Sequence, residues 1–320
     1  MTIARNKIID PSFPGFYHCV SRCVRRAFLC GKDKYSNKDY EYRREWVVRR
    51  MAFLLDFFAI ELASYAIMHN HLHTVLRSRP DLVEELSDYE VAERWVCIFS
   101  SNMDFPNKQD RAKIDSIVSS KEYVKKVRER LSSLSWFHRC LNEYVARRAN
   151  FEDSCTGRFW EGRFKCQKLE GASSVIAASV YVDLNPIRAG IAEAPDDSDY
   201  TSIQDRIAAY RGHHRPSFIH QPDLLPISEL SDGILSEIEY IELVDQAGRT
   251  IVDGKHRISD KVCSVLERVK IKSEHIRKVT LELGSSFSYF IGPKISMMSF
   301  AQRNGLSRVL GVRSAEAIFC

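Results

Sequence analysis

An alternation of strand-like and helix-like segments constrains this 320-residue chain more than any other feature of its sequence. Residues 16–23 (FYHCVSRC) have the composition of a strand. Over residues 39–58 the apolar side chains Trp46, Val47, Met51, Leu54, Leu55 and Phe58 recur at spacings of three and four, which predicts an amphipathic helix. An apolar run, IELASYAIM, then gives way to HNHLHTVLR, whose Leu72, Thr74, Val75 and Leu76 favour a strand. The two runs read as a hairpin turned near His69 and Asn70.

Residues 80–135 are polar and helix-compatible, with loop signals at SSNMDFPNKQD, and read as an insertion between strand elements. A second amphipathic helix is predicted over 136–149, and a loop-to-strand passage over 155–169 (CTGRFWEGRFKCQKL). Residues 172–184 have helical periodicity and end at Asn185-Pro186, because the residue before a proline is biased away from helix. Pro216, Pro222 and Pro226, in a stretch without periodicity, mark a boundary. The expected organisation is therefore a main domain over 1–212, a linker over 213–230 and a smaller, mostly helical unit over 231–320.

With 44% hydrophobic residues the chain can bury a full core. Its 47 Lys and Arg against 42 Asp and Glu give a formal charge of +5, which permits a polyanionic partner without requiring one. No stretch approaches the roughly 18 apolar residues a membrane span needs, so the expectation is a soluble, cytoplasmic protein. The nine cysteines include no CxxC pair and read as reduced thiols; Cys19, Cys23 and Cys30 lack the second pair that a zinc site requires.

Chemistry concentrates in two places. On a strand, His71 and His73 point to one face while Leu72 points to the other, so the two imidazoles can chelate a divalent metal; ordinary surface or core histidines fit the same pattern. His69 extends the run but falls in the turn. In YVDLNPIRAG, Tyr181 and Asn185 lie one helical turn apart, which sets a phenol beside an amide oxygen; a core tyrosine followed by a simple helix stop would look alike.

Together, the His-hydrophobic-His strand and the YxxxNPxRAG helix resemble the single-tyrosine HUH transposases, and most of all their REP-associated tyrosine transposases. FYHCVSR, the helix before YAIMHNHLH, and GRFWEGRFK add to a resemblance that runs from about residue 16 to residue 192. It implies an α+β, ferredoxin-like sandwich with a central antiparallel sheet and helices over one face. The implied activity is cleavage and strand transfer of single-stranded or hairpin DNA through a 5′-phosphotyrosine. Tyr181 is the implied nucleophile, with His71, His73 and Asn185 holding Mg²⁺ or Mn²⁺. Such chemistry suits a phenol, which is a weak nucleophile until a metal polarises the phosphate.

Arg158, Arg163, Lys165 and Arg188 are candidates to neutralise phosphates, with Trp160 and Phe164 among them to stack on unpaired bases; aromatics that fill the core and arginines that sit in water fit the same pattern. Arg22, Arg25 and Arg26 form a second basic cluster that reads more readily as a solvated face, and SRVLGVRS and LERVKIKSEHIRK leave the same choice in the C-terminal unit. Homodimerisation stays open. So do two other readings: a DNA-binding regulator that no longer cuts, and an unrelated metallohydrolase, for which the HNHLH strand lacks an acidic base.

Overall fold

The computed structural model describes residues 4–24, 29–33, 37–100, 105–210, 221–251, 289–306 and 309–318. Their centre is a five-stranded sheet in the order β2-β3-β1-β4-β5. It is formed by β1 (Gly15–Arg22), β2 (Ile60–Ile67), β3 (His71–Ser78), β4 (Lys165–Leu169) and β5 (Phe290–Ile291). The first four pair antiparallel, in the strand order of a ferredoxin-like sandwich, and β5 joins β4 in parallel at the edge.

Strand alternation decides what each face meets. In the β1–β3 register Val20 pairs with His73, and Cys19 with Thr74, so Tyr17, Cys19, Leu72 and Leu76 share one face. That face packs on α1 (Arg43–Phe57) through Val47, Val48, Met51 and Leu54, and on α6 (Leu134–Glu152) through Phe137, Leu141 and Val145. Between β3 and α6 the expected insertion consists of α2 (Pro80–Glu84), α3 (Asp88–Phe99), α4 (Lys108–Val118) and α5 (Lys121–Leu131). Capping boxes open α3 at Ser87 and Glu90 and α4 at Asn107 and Asp110. Val124, Val127 and Leu131, spaced by three and four, turn the apolar side of α5 into the same core.

The opposite face carries His18, Val20, Arg22, His71, His73 and Val75. Helices cover it too, where the family resemblance implies one covered face, because Ala63, Ala66, Val75 and Leu169 project there and need burial. The cover is α7 (Ala172–Asp183), which α8 (Asn185–Arg188) continues, together with α9 (Ser202–Tyr210). Small residues along α7, among them Ser174, Ala177 and Ala178, let it lie close to β2 and β3.

The boundary expected over 213–230 is not a break in packing where the chain is described. The Leu225 N–H donates to the Leu62 carbonyl at 2.8 Å, and Ile227 and Leu230 of α10 (Ile227–Leu230) are buried. Tyr240, Leu243, Val244 and Ala247 of α11 (Glu237–Ile251) enter the same core as α7. Arg206 ties these parts together by donating to the carbonyls of Ala63 and Leu225 and to the Glu237 carboxylate. The described chain ends with α12 (Lys294–Arg303) and α13 (Val312–Ile318). Residues 266–278, including LERVKIKSEHIRK, lie outside the described residues, as do Arg25, Arg26 and the first two residues of SRVLGVRS.

Candidate active site

The sheet presents His71 and His73 side by side, with ring centroids 4.8 Å apart. Burial, helped by the charge of Arg22, holds the His71 pKa down at about 4. Burial followed by the neighbouring His18 keeps His73 well below the usual histidine value. Both rings are therefore neutral at physiological pH and keep a lone pair for ligation. His69 does not join them: it stands in the hairpin turn, 3.8 Å from Glu41, and its ring lies where a Cβ on Gly31 would come within 2.5 Å. Gly31 has φ +90°, so it meets both a backbone and a space requirement that a larger residue would violate.

The helix brings Tyr181 over this pair. Its ring centroid is 5.8 Å from that of His73 and 5.7 Å from that of His18, edge-on to each. Burial raises the phenol pKa, against the opposing charges of Arg188 and Arg22, so Tyr181 is protonated at neutral pH. One turn on, Asn185 Nδ2 donates to the Tyr181 carbonyl at 2.9 Å, which leaves Oδ1 without a hydrogen-bond partner among the described residues. Tyr181, Asn185, His71 and His73 all line one open cleft, and all four belong to one chain.

The cleft has a volume of about 1660 Å³, more than the roughly 300–1,000 Å³ of a typical small-molecule pocket. Several arginines meet carboxylates: Arg43 with Glu152 and Asp153, Arg79 with Glu61 and Asp81, Arg206 with Glu237 and, at the cleft itself, Arg139 with Glu143. Arg5, Arg22, Arg163 and Lys165 line the cleft, and among the described residues none of them has an ion-pair partner. Arg188 lies over the Tyr181 ring at 4.8 Å, its Nε and Nη2 buried without hydrogen-bond partners among the described residues. Burial pushes its pKa down to about 10, so it remains charged. A half-buried guanidinium with two free donor nitrogens can bind an anion such as a phosphate oxygen.

Of the residues expected to hold DNA, Trp160, Arg163, Phe164 and Lys165 line the cleft, Arg188 stands beside Tyr181, and exposed Arg158 is not among the lining residues. Phe164 fits the core alternative. Its ring is buried, with His138 stacked at 4.1 Å and the Arg5 guanidinium 4.4 Å over it. Trp160 is only partly buried and is oriented by Nε1–H donating to the Asn142 carbonyl at 2.8 Å.

His138 itself is fully buried, with both ring nitrogens lacking hydrogen-bond partners among the described residues, and burial holds its pKa at about 3. The unfolded chain takes up this proton near pH 6.5, whereas the folded protein resists it until about pH 3. Stability from this group is therefore present above pH 6.5 and lost as pH falls through that window. His138→Phe is expected to gain on the parent progressively as pH drops from 6.5 to 4, as read by urea unfolding midpoints. Parallel midpoint curves for the two proteins would refute it.

Sequence reasoning missed His18, Gln167 and Arg5. His18 Nε2 lies 3.0 Å from His73 Nδ1, and His18 Nδ1 lies 2.9 Å from Gln167 Oε1. The strand alternation of FYHCVSR places His18 on one face, but only the β1–β3 register says which histidine it meets.

No family model matches this chain, and no curated protein matches it. A solved structure of the REP-associated tyrosine transposase bound to a REP hairpin aligns with 70% of this chain and 99% of that one, at 10% identity and a TM-score of 0.38. A likeness that loose carries no functional weight.

Proposed function

We propose that the protein is a metal-dependent endonuclease and strand transferase for single-stranded or hairpin DNA, with Tyr181 as its nucleophile. The observation that carries this reading is the meeting of a phenol and two neutral imidazoles in a cleft whose Arg5, Arg22, Arg163 and Lys165 have no ion-pair partner among the described residues, with the Arg188 guanidinium over the phenol ring. A polyanion supplies the missing charge, and a cleft of this size admits an extended strand rather than a single small molecule.

The donor set fits a divalent ion whose sphere is shared with substrate. Among the described residues no cluster of three or more His, Cys, Asp and Glu could hold an ion alone. Two imidazole nitrogens and the Asn185 amide oxygen would hold Mn²⁺ or Mg²⁺ with positions left for phosphate oxygens and water. When bound, the ion supplies Lewis-acid polarisation of the scissile phosphate. The chain's own groups do the rest. Arg188 holds a phosphate oxygen beside the phenol and stabilises developing negative charge. Tyr181 Oη gives up its proton and bonds to phosphorus as the bond to the 3′ oxygen breaks. That oxygen takes up a proton, leaving a free 3′-hydroxyl and a 5′-phosphotyrosine.

The test uses end-labelled single-stranded hairpins incubated with the protein and Mn²⁺ and run on a denaturing gel. A labelled band at the mass of protein plus the 3′ fragment, whose linked peptide contains Tyr181, is the expected result. Binding without any covalent species would favour a DNA-binding protein that does not cut, and cleavage without an adduct would favour hydrolysis by a metal-activated water.

A further inference from the structure

We propose that His18 and Gln167 are positioning residues, forming a hydrogen-bonded relay that fixes the tautomer of His73 so that its Nε2 lone pair faces the cleft. This rests on the reading of His73 as a metal ligand, but the relay can be detected without metal. The argument follows protons along three side chains on one face of the sheet. Gln167 Oε1 is an acceptor only, so the contact at 2.9 Å requires His18 Nδ1 to carry a hydrogen. His18 is fully buried, and its ring nitrogens face Gln167 and His73, with no carboxylate in contact among the described residues to hold a second proton. A neutral imidazole has one N–H, so His18 Nε2 is an acceptor. The 3.0 Å contact then requires His73 Nδ1 to donate, which leaves His73 Nε2 bare.

The geometry suits a transfer of orientation along the chain. The His18 and His73 rings lie within 9° of parallel with centroids 5.2 Å apart, which fits end-to-end rings joined by the 3.0 Å N–H···N bond. The β1–β3 and β1–β4 registers supply the placement: His18 pairs with Gln167 across one ladder and with Val75 across the other, two residues from His73 on the same face. His71 has a simpler version of the arrangement, its Nδ1 lying 2.6 Å from its neighbour Asn70 Oδ1, so its Nε2 is bare by the same logic. Ligating histidines commonly donate their other ring N–H to an acceptor that sets tautomer and ring orientation. Here the acceptor is a second imidazole, and reversing the Gln167 amide would reverse every proton in the line and close His73 to metal.

Nitrogen-15 NMR of the metal-free full-length protein reads the tautomer directly. The expected spectrum has His73 protonated at Nδ1 and bare at Nε2. His18→Leu and Gln167→Met are expected to move His73 towards the Nε2–H form and to weaken Mn²⁺ binding, measured by titration calorimetry, about 10- to 100-fold. His18→Gln, whose amide oxygen can still accept from His73 Nδ1, is expected to keep the parent tautomer and most of the affinity. A parent spectrum with His73 protonated at Nε2 overturns the relay, as does equal loss of affinity in His18→Gln and His18→Leu with the tautomer unchanged. Should the parent show the Nδ1–H form yet bind no Mn²⁺, the relay stands and the ligand assignment falls. Because the parent spectrum is itself a test, misfolding of a variant does not remove it.

Discussion

Tyr181→Phe is expected to bind hairpin DNA within about threefold of the parent and to lose the covalent adduct by at least about 10³-fold, the scale on which removal of a nucleophile acts. The substitution deletes one oxygen and keeps the ring. The contacts that hold the ring do not use that oxygen: His18 and His73 meet it edge-on and the Arg188 guanidinium lies over its face. The cleft's cations, which carry the affinity for phosphate, stay in place. A gel-shift titration run beside the adduct assay separates the two effects. An adduct that survives in Tyr181→Phe would move the nucleophile elsewhere. A collapse of binding would show instead that the hydroxyl supports the fold or the DNA contact.

What could be read in advance divides according to how far apart the interacting residues lie in the chain. His71, Leu72 and His73 announce their faces through the two-residue period of a strand, and Tyr181 and Asn185 theirs through the helical turn. Both pairs sit where those periods put them, lining one cleft. The α+β class, the hairpin at 68–70 and the helical insertion after β3 were likewise carried by local pattern. His18 was not, because its partner is set by strand register, which no local period encodes. Phe164 is ambiguous in sequence for a related reason. An aromatic between basic residues looks the same whether it faces DNA or packs against His138 and Arg5, and only the packing of α6 against the loop before β4 decides. The three prolines suggested a linker, yet Leu224 bridges to Leu62 and α10 is buried, since prolines are also at home at sheet edges.

The second large effect concerns the residue that anchors the tyrosine helix. Asp183, two positions after Tyr181, is fully buried and accepts three hydrogen bonds: from the Ser202 hydroxyl, from the Ile203 N–H at 3.0 Å and from the Tyr240 hydroxyl at 2.6 Å. These partners lie at the start of α9 and within α11, so one carboxylate joins the end of α7 to both helices behind it. Asp183→Ala leaves the Ile203 N–H and the Tyr240 hydroxyl buried without an acceptor, the Ser202 hydroxyl keeping the Tyr65 carbonyl at 3.3 Å, and the expected loss of stability is about 3–5 kcal/mol. The dependence on pH identifies the carboxylate itself. Burial raises the Asp183 pKa to about 6, against the lowering effect of its hydrogen bonds and of Arg206. The folded protein therefore binds this proton more readily than the unfolded chain between about pH 4 and 6, and stability from this group rises as pH falls through that window. The alanine variant lacks that gain, so its deficit relative to the parent should widen by more than about 1 kcal/mol from pH 7 to pH 4.5. Urea unfolding of both proteins across this range measures the difference directly, and contributions from groups they share, including the buried histidines, cancel. A deficit that is constant or shrinks in acid would mean that Asp183 is held as a carboxylate throughout, its hydrogen bonds outweighing its burial. Loss of DNA cleavage at temperatures where Asp183→Ala remains folded would tie the same anchor to the placement of the Tyr181 hydroxyl against the His71 and His73 pair.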